Sequence, residues 1–566
     1  MRAFTLGSCS LLLMFVGLEH FGPAQMRTRA FVERHKGKPF VFLGVNTDDG
    51  EAARRVAAKE GTTWPSFAEE GVIRYCNDTL QRTSARSGPD GKPISVRRPD
   101  EVVEDLLKER MYHADPEHLW NRLHRALFVR VGPDGRTYGQ DRLEPLLWVG
   151  SKHLLEGKAH QRAVAILDEF LKNKGEKLIE DPLKRAVLQR DLWLIFNWLD
   201  DVHSHFYDPE LTSDEVRAAQ DRLRPRLAAV IGRLALTRDQ IKQLPDNYAM
   251  AVASADYARR FDPKHPDTPY LPADLFDSNG PWVCVGRPDG PVAPQHQADT
   301  GTNMFTNSAF LVFLRLPDGR AATLDFLKRL RTFDQPLRVD AKEPKIGMQY
   351  LPNPELPQFP VGTQVALVRR SLLIAVPNTL LATTLTESVQ LRFYREVPQM
   401  TEPNVRAAIE SSGGGRVADP RIAAWQAFHE FQLRRSRLFA NRAGGLRAVG
   451  SDERDFNLPF FLQMRDEFED PDYRASGGSR PPARSFSESQ HVVKQDCFLC
   501  HSLPGAASFN SYFNFRGNGS LVNRGDVTRP FSLSEMSVSE VDAATVRWKE
   551  GRPHWIALRK LLASAK

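Results

Sequence analysis

Gln364-Val-Ala-Leu-Val368, Ser371-Leu-Leu-Ile-Ala-Val376 and Val389-Gln-Leu-Arg-Phe-Tyr394 are short, strand-like apolar runs in a stretch where proline is frequent. Runs of this length and composition fit buried strands better than helices, which need longer amphipathic repeats. Two similar pieces lie upstream, Trp282-Val-Cys-Val285 and Ala309-Phe-Leu-Val-Phe-Leu314. Pro317-Asp318-Gly319 after the second reads as a hairpin-type turn, and Ala322 to Leu330 as a helix lying on the sheet. Proline is frequent throughout 263–397. These features predict a sheet-rich domain of mixed topology over residues 261–469. The stretch from Arg421 to Leu446, amphipathic and rich in arginine, reads as a helix or strand passing over it. Cys284, in an apolar run with no base near it in sequence, reads as a buried inert thiol.

Upstream the periodicity changes to helical. Asp115-Pro116-Glu117 opens a segment with Leu119, Leu123, Leu127 and Phe128 on one face, a cap followed by proline at the first helical position. Asp181-Pro182 opens a second, with Leu188, Leu192, Ile195 and Trp198. Thr212-Ser213-Asp214-Glu215 supplies capping oxygens for a third. Residues 111–260 therefore read as a helical domain with short antiparallel connections. Trp120, Trp148, Trp193 and Trp198 belong to its core. Asp200-Asp201-Val202-His203-Ser204-His205 has ligand-type side chains, but two histidines two positions apart do not share a helix face. A polar helix end explains them.

Before residue 111 the chain admits two readings. Arg2, the apolar stretch Leu11 to Leu18 and Gly22-Pro23-Ala24 make an export signal with a small-residue cleavage site. Alternatively, Ser10 to Val16 is a strand, Gln25 to His35 a helix, and Lys38 to Asn46 a second buried strand. The second reading resembles a thioredoxin-like domain of the bacterial thiol-reductase type. Phe21-Gly22-Pro23-Ala24 stands where that family has Cys-Gly-Pro-Cys, and Gly44-Val45-Asn46-Thr47-Asp48 matches the strand after its first long helix. With Phe21 and Ala24 in place of both cysteines, disulfide exchange is excluded, because it needs two sulfurs. The segment 1–110 thus reads as a signal-like stretch with a degenerate, thioredoxin-like α/β module, the apolar stretch being either the signal or a core strand.

Downstream, residues 470–490 form a linker by composition, with Gly477-Gly478-Ser479-Arg480-Pro481-Pro482 at its centre. Asp496-Cys497-Phe498-Leu499-Cys500-His501-Ser502 follows. In C-x-x-C-H two thiols three positions apart can add to the two vinyl groups along one edge of a haem, and the adjacent imidazole reaches the iron. Cys9, Cys76 and Cys284 offer no second cysteine pair to complete a zinc site. The motif resembles the attachment site of a c-type cytochrome, and residues 491–566 suffice for a small α-helical module of that kind. The resemblance implies one covalent haem c on Cys497 and Cys500, with His501 as proximal ligand. Met536 is the expected second ligand, with His554, His491 or an open position as alternatives. Phe509, Tyr512, Phe513 and Phe515 would pack on the macrocycle. Val541 to Leu562 reads as a closing helix interrupted at Gly551-Arg552-Pro553.

The chain is then a multi-domain α+β protein: a thioredoxin-like segment, a helical domain, a sheet-rich mixed domain, a linker and a haem module. With 566 residues and a net charge of +7 spread among acids, it lacks the basic block of a nucleic-acid binder. An acidic partner or an anionic membrane surface suits the charge, and no apolar run in the body of the chain is long enough to span a bilayer. The expected function is electron transfer with a redox partner protein, outside the cytoplasm, rather than enzymatic catalysis. Two alternatives stay open: a haem enzyme with a free distal position, and a structural protein in which the two motif thiols form a local disulfide.

Overall fold

A computed structural model of the chain describes residues 2–6, 9–16, 40–46, 110–132, 136–143, 153–201, 213–288, 290–297, 305–334, 337–339, 350–399, 401, 425–455, 491–494, 505–510 and 533–564. The fold is mixed helix and sheet, divided into two compact units, residues 1–108 with 131–138 and residues 109–130 with 139–566. In the first unit β1 (Arg2–Leu6) runs antiparallel to β2 (Cys9–Val16), and β2 runs parallel to β3 (Phe40–Asn46) with Ser10 opposite Phe40. The apolar stretch read either as a signal or as a strand is thus strand in this structure. The helix expected over 25–35 and the Phe21 to Ala24 turn lie outside the described residues.

The second unit begins with four helices, α1 (Leu119–Phe128), α2 (Gly157–Lys172), α3 (Pro182–Asp201) and α4 (Asp214–Leu234). Their starts follow the capping logic of the sequence. Asp181 Oδ1 accepts from the Leu183 amide at 2.8 Å, and Ser213 Oγ accepts from the Val216 amide at 3.3 Å, satisfying donors that a helix start leaves unpaired. Helix α1 begins later than Asp115-Pro116 suggests, at Leu119, where the His118 ring takes the cap at 3.3 Å.

The remainder is built on a seven-stranded sheet. Its strands are β4 (Val283–Gly286), β5 (Ser308–Arg315), β6 (Gln364–Ala375), β7 (Thr379–Tyr394), β8 (Gln426–Leu433), β9 (Leu446–Ala448) and, from far downstream, a short strand at Ser534–Glu535. The order across the sheet is β9-β8-β7-β6-β5-β4 and then Ser534–Glu535, all antiparallel. Two of the strands expected from short apolar runs, at 364–368 and 371–376, are one strand, β6. The arginine pair between them does not end it: a register shift at Arg369 and Arg370 absorbs the interruption. Pro317-Asp318-Gly319 does not close a hairpin but leads β5 into α5 (Arg320–Arg331), with Gly319 in the left-handed region at φ 88°. The amphipathic stretch beyond Arg421 does not pass over the sheet either. It supplies β8, an internal strand whose Phe431 and Leu433 are buried.

The C-terminal helices are α6 (Val538–Glu550) and α7 (Pro553–Ser564), broken at Gly551 as the sequence indicates. They do not close a separate core. Trp555, Leu558 and Leu562 of α7 pack with Trp193 of α3, Leu227 of α4, and Ala309, Leu372 and Ile374 of the sheet in one buried cluster. Through α7 the packing joins described residues from either side of the divisions near 260 and 470 read from composition. Among the described residues no helix is long and apolar enough to cross a membrane.

Between α3 and the sheet lies a fully buried charged network. Arg190 Nε donates to Glu387 Oε1 at 2.8 Å, and Arg435 Nε donates to Asp191 Oδ2 at 3.0 Å. Ser308 and Ser371 each donate to Glu387 at 2.6 Å, and Arg190 and Arg435 both donate to the Leu143 carbonyl. Such a network stands only because every charge in it is paired and hydrogen-bonded. It ties α3 to β5, β6, β7 and the segment after β8.

Candidate functional site

The haem-type motif is bracketed by two short pieces of chain that are firmly held. Upstream, His491–Val492 pairs antiparallel with Arg454–Asp455, and the Val493 amide donates to the Glu453 carbonyl at 2.9 Å. Glu453 is itself a hub. Burial pushes its carboxyl up, but Arg447, which forks onto both its oxygens, and Arg434 outweigh that and hold it near 2. Val493 is buried. Lys494 next to it is lowered by burial, against the pull of Glu430, Glu453 and Asp267.

Downstream, the helical turn Gly505–Asn510 starts with Gly505 at φ 48°, where a Cβ would lie 2.4 Å from Gln358 Oε1 and 2.9 Å from a Val397 methyl. Only glycine lets the backbone approach so closely. The same Gln358 oxygen accepts from the Ala506 amide at 3.1 Å. Phe509, fully buried, meets Phe359 edge-on at 5.7 Å, and Phe359 meets Tyr394 at 5.2 Å. Of the aromatic group expected on a macrocycle, Phe509 thus packs into the body of the sheet unit. Tyr512, Phe513 and Phe515 lie outside the described residues, as do Cys497, Cys500 and His501 themselves.

The other expected ligands are scattered. Met536 follows the edge strand Ser534–Glu535, its amide donating to the Cys284 carbonyl at 3.1 Å, and its sulfur lies where a Cβ on Gly286 would fall, at 2.6 Å. His554 is buried near the start of α7. His491 lies in the short strand paired with Arg454–Asp455. In the cluster from Asp200 to His205, α3 ends at Asp201 and both histidines lie outside the described residues. Cys284 matches its expected character: burial, followed by the Asp542 charge, pushes its thiol up to about 12, so it stays protonated and unreactive. Among the described residues no group of three or more His, Cys, Asp and Glu side chains is placed to hold a metal ion.

Sequence reasoning passed over buried histidines, His429 among them. His429 on β8 is buried, with Tyr270 edge-on at 5.2 Å and Phe261 at 6.4 Å. Phe261 is stacked on Phe393 at 3.9 Å. The Nε2 of His429 is buried without a hydrogen-bond partner. Burial first and the neighbouring Lys494 second bring its pKa down to about 4, so the ring is neutral near pH 7 with a lone pair on one nitrogen. Beside it, burial raises the Glu430 carboxyl to about 7, against its hydrogen bond from Gln432 and the charge of Lys494. The Nε2 of His124 on α1 is likewise buried without a hydrogen-bond partner.

Comparison with protein-family models, with curated proteins and with solved structures finds no match for this chain.

Proposed function

We propose that this protein carries one covalent haem c on Cys497 and Cys500, with His501 as its proximal ligand, and passes single electrons to or from a redox partner protein outside the cytoplasm. The observation that carries the reading is the motif Cys497-Phe498-Leu499-Cys500-His501, whose spacing matches the two vinyl groups of haem and whose imidazole follows at once. When bound, the haem supplies a one-electron ferric–ferrous couple, and the partner is the electron's source or destination.

The chain's own residues support this in three ways. Ten residues, 495–504, separate Lys494 from Gly505, and both ends of that interval are held on the sheet unit by the contacts of Val493 and Ala506. A short segment between fixed ends loses less freedom when it binds a group, because the ends are already placed. Cys284 is half-buried and its thiol, pushed up to about 12, stays protonated, so it does not compete for attachment. The positively charged chain also suits association with an acidic partner.

The test is covalent attachment. Protein matured with the c-type machinery is denatured, run on a gel and stained for haem. Cys500→Ala removes the normal two-thioether attachment, while Cys76→Ser leaves it intact; equal staining of the two variants contradicts the assignment.

A further inference from the structure

We propose that α6 is a pH-sensitive latch on the sheet, which peels away more readily once the Asp542 carboxyl carries its charge; the inference is independent of the haem reading. The helix lies against β5 and β7, and β6 with its Arg370 runs between those two strands. Its grip is slight. Of its 13 residues only Val541 and Ala544 are buried apolar side chains, and elements with few buried apolar contacts are the ones that open locally. Polar atoms in the same interface lack partners. Asp542 Oδ1 and Thr545 Oγ1 on α6, and Arg370 Nε on β6, are buried without a hydrogen bond. Such atoms favour an open state, in which water supplies the missing bonds.

The ends of the helix permit the motion. Helix α6 breaks from α7 at Gly551, while Trp555, Leu558 and Leu562 anchor α7 in the cluster with α3 and α4. At its other end the chain joins the sheet through the two-residue strand Ser534–Glu535. Helix α6 can therefore lift while α7 stays docked.

The charges around Asp542 set the direction. Burial raises its carboxyl to about 6 from 3.8, against the pull of Arg370. Arg370 also faces Asp246 and the Cys284 thiol, and its guanidinium covers the Phe276 ring at 4.3 Å. Cys284 in turn faces Glu535 and Glu540. On α6 itself, the Lys549 ammonium lies over the Trp193 ring at 5.7 Å. Apart from Arg370, the groups that share the Asp542 side of the interface are acids and a thiol, which do not favour another negative charge. Once α6 lifts, the Asp542 carboxyl is in water and returns to its ordinary value. Below pH 3.8 both states hold the proton; as pH rises through 6, ionisation costs free energy in the closed state alone, and opening is favoured. A carboxyl at about 6 closed and 3.8 open makes opening about 60-fold more frequent at pH 8 than at pH 4.

The experiment follows amide hydrogen exchange of the full chain by mass spectrometry at pH 4 and pH 8, in low concentrations of urea, for the wild type, Asp542→Asn and Asp542→Ala, each corrected for intrinsic rates. Dividing the wild-type rate by the variant rate at each pH cancels any fixed effect of the substitution. For residues 542–550 that ratio is expected to rise about 60-fold from pH 4 to pH 8 with either variant. Exchange there is expected to depend weakly on urea, whereas α3 exchanges more slowly and with a steep urea dependence. A ratio that is the same at both pH values overturns the proposal. So does exchange of 542–550 with the protection and urea dependence of α3, since α6 then leaves the sheet only when the whole unit unfolds.

Discussion

Replacing Asp542 by asparagine should stabilise the protein at neutral pH and not in acid. Asp542 lies on the inner side of α6, and its Oδ1 is buried with no hydrogen-bond partner. Burial raises its carboxyl to about 6 from an ordinary 3.8, although Arg370 pulls the other way. The sign follows from linkage. Below about pH 3.8 the group is protonated folded and unfolded, and it contributes nothing. Between 3.8 and 6 the unfolded chain releases the proton while the folded chain keeps it, so stability falls as pH rises. Above 6 the full penalty applies. A difference of 2.2 units (6 − 3.8) corresponds to about 3 kcal/mol, of which roughly 2 to 3 develops between pH 4 and 8. Asparagine does not titrate. Urea unfolding of wild type and Asp542→Asn, followed by tryptophan fluorescence at pH 4, 6 and 8, gives the difference in unfolding free energy at each pH. That difference should move in favour of the variant by the stated amount, and comparing pH values cancels any fixed cost of the substitution. A difference that stays flat from pH 4 to 8, or moves in favour of the wild type, refutes the reasoning.

Glu387→Ala should cost about 3–5 kcal/mol, because it strands the fully buried Arg190 without its carboxylate; the same denaturation assay measures it, and a loss below 1 kcal/mol contradicts the network's role. Gly444→Ala should be far more damaging than Gly362→Ala. Both glycines have positive φ, but a Cβ at 444 would lie 1.9 Å from the Asn247 carbonyl oxygen, whereas at 362 the nearest atom is a Pro317 carbon at 3.6 Å. The second variant should lose only the backbone cost of about 1–2 kcal/mol, and equal melting temperatures for the two would count against the packing described.

Much of the sheet was legible because its strands carry continuous apolar runs, which buried strands require. Helices α3 and α4 were legible through their caps, whereas α1 starts later, on His118, and α2 has no side-chain cap. What the sequence concealed depended on partners distant along the chain. Arg369 and Arg370 look like a strand break, yet Arg369 pairs with Glu387 at 3.4 Å and Arg370 covers the Phe276 ring at 4.3 Å, so both fit inside one strand. The stretch beyond Arg421 resembles a surface amphipathic element because its charges are visible and their partners are not. Arg392, for example, covers the Phe428 ring at 4.6 Å and donates to Gln426 at 3.0 Å. Trp555 and Leu562 carry no sign that they belong to the core of α3 and α4. His429 is a single histidine between Phe428 and Glu430, and nothing in the sequence marks it as buried. Met536 was selected as the one methionine after the motif, and it follows the edge strand Ser534–Glu535.

The central claim is that Cys497 and Cys500 carry haem, and the most direct measurement is an optical spectrum of protein exported with the c-type maturation machinery, paired with a haem stain of the denatured chain. A stained band with a narrow α peak on reduction is the expected result. A colourless, unstained protein, with maturation verified on a control cytochrome, would contradict it.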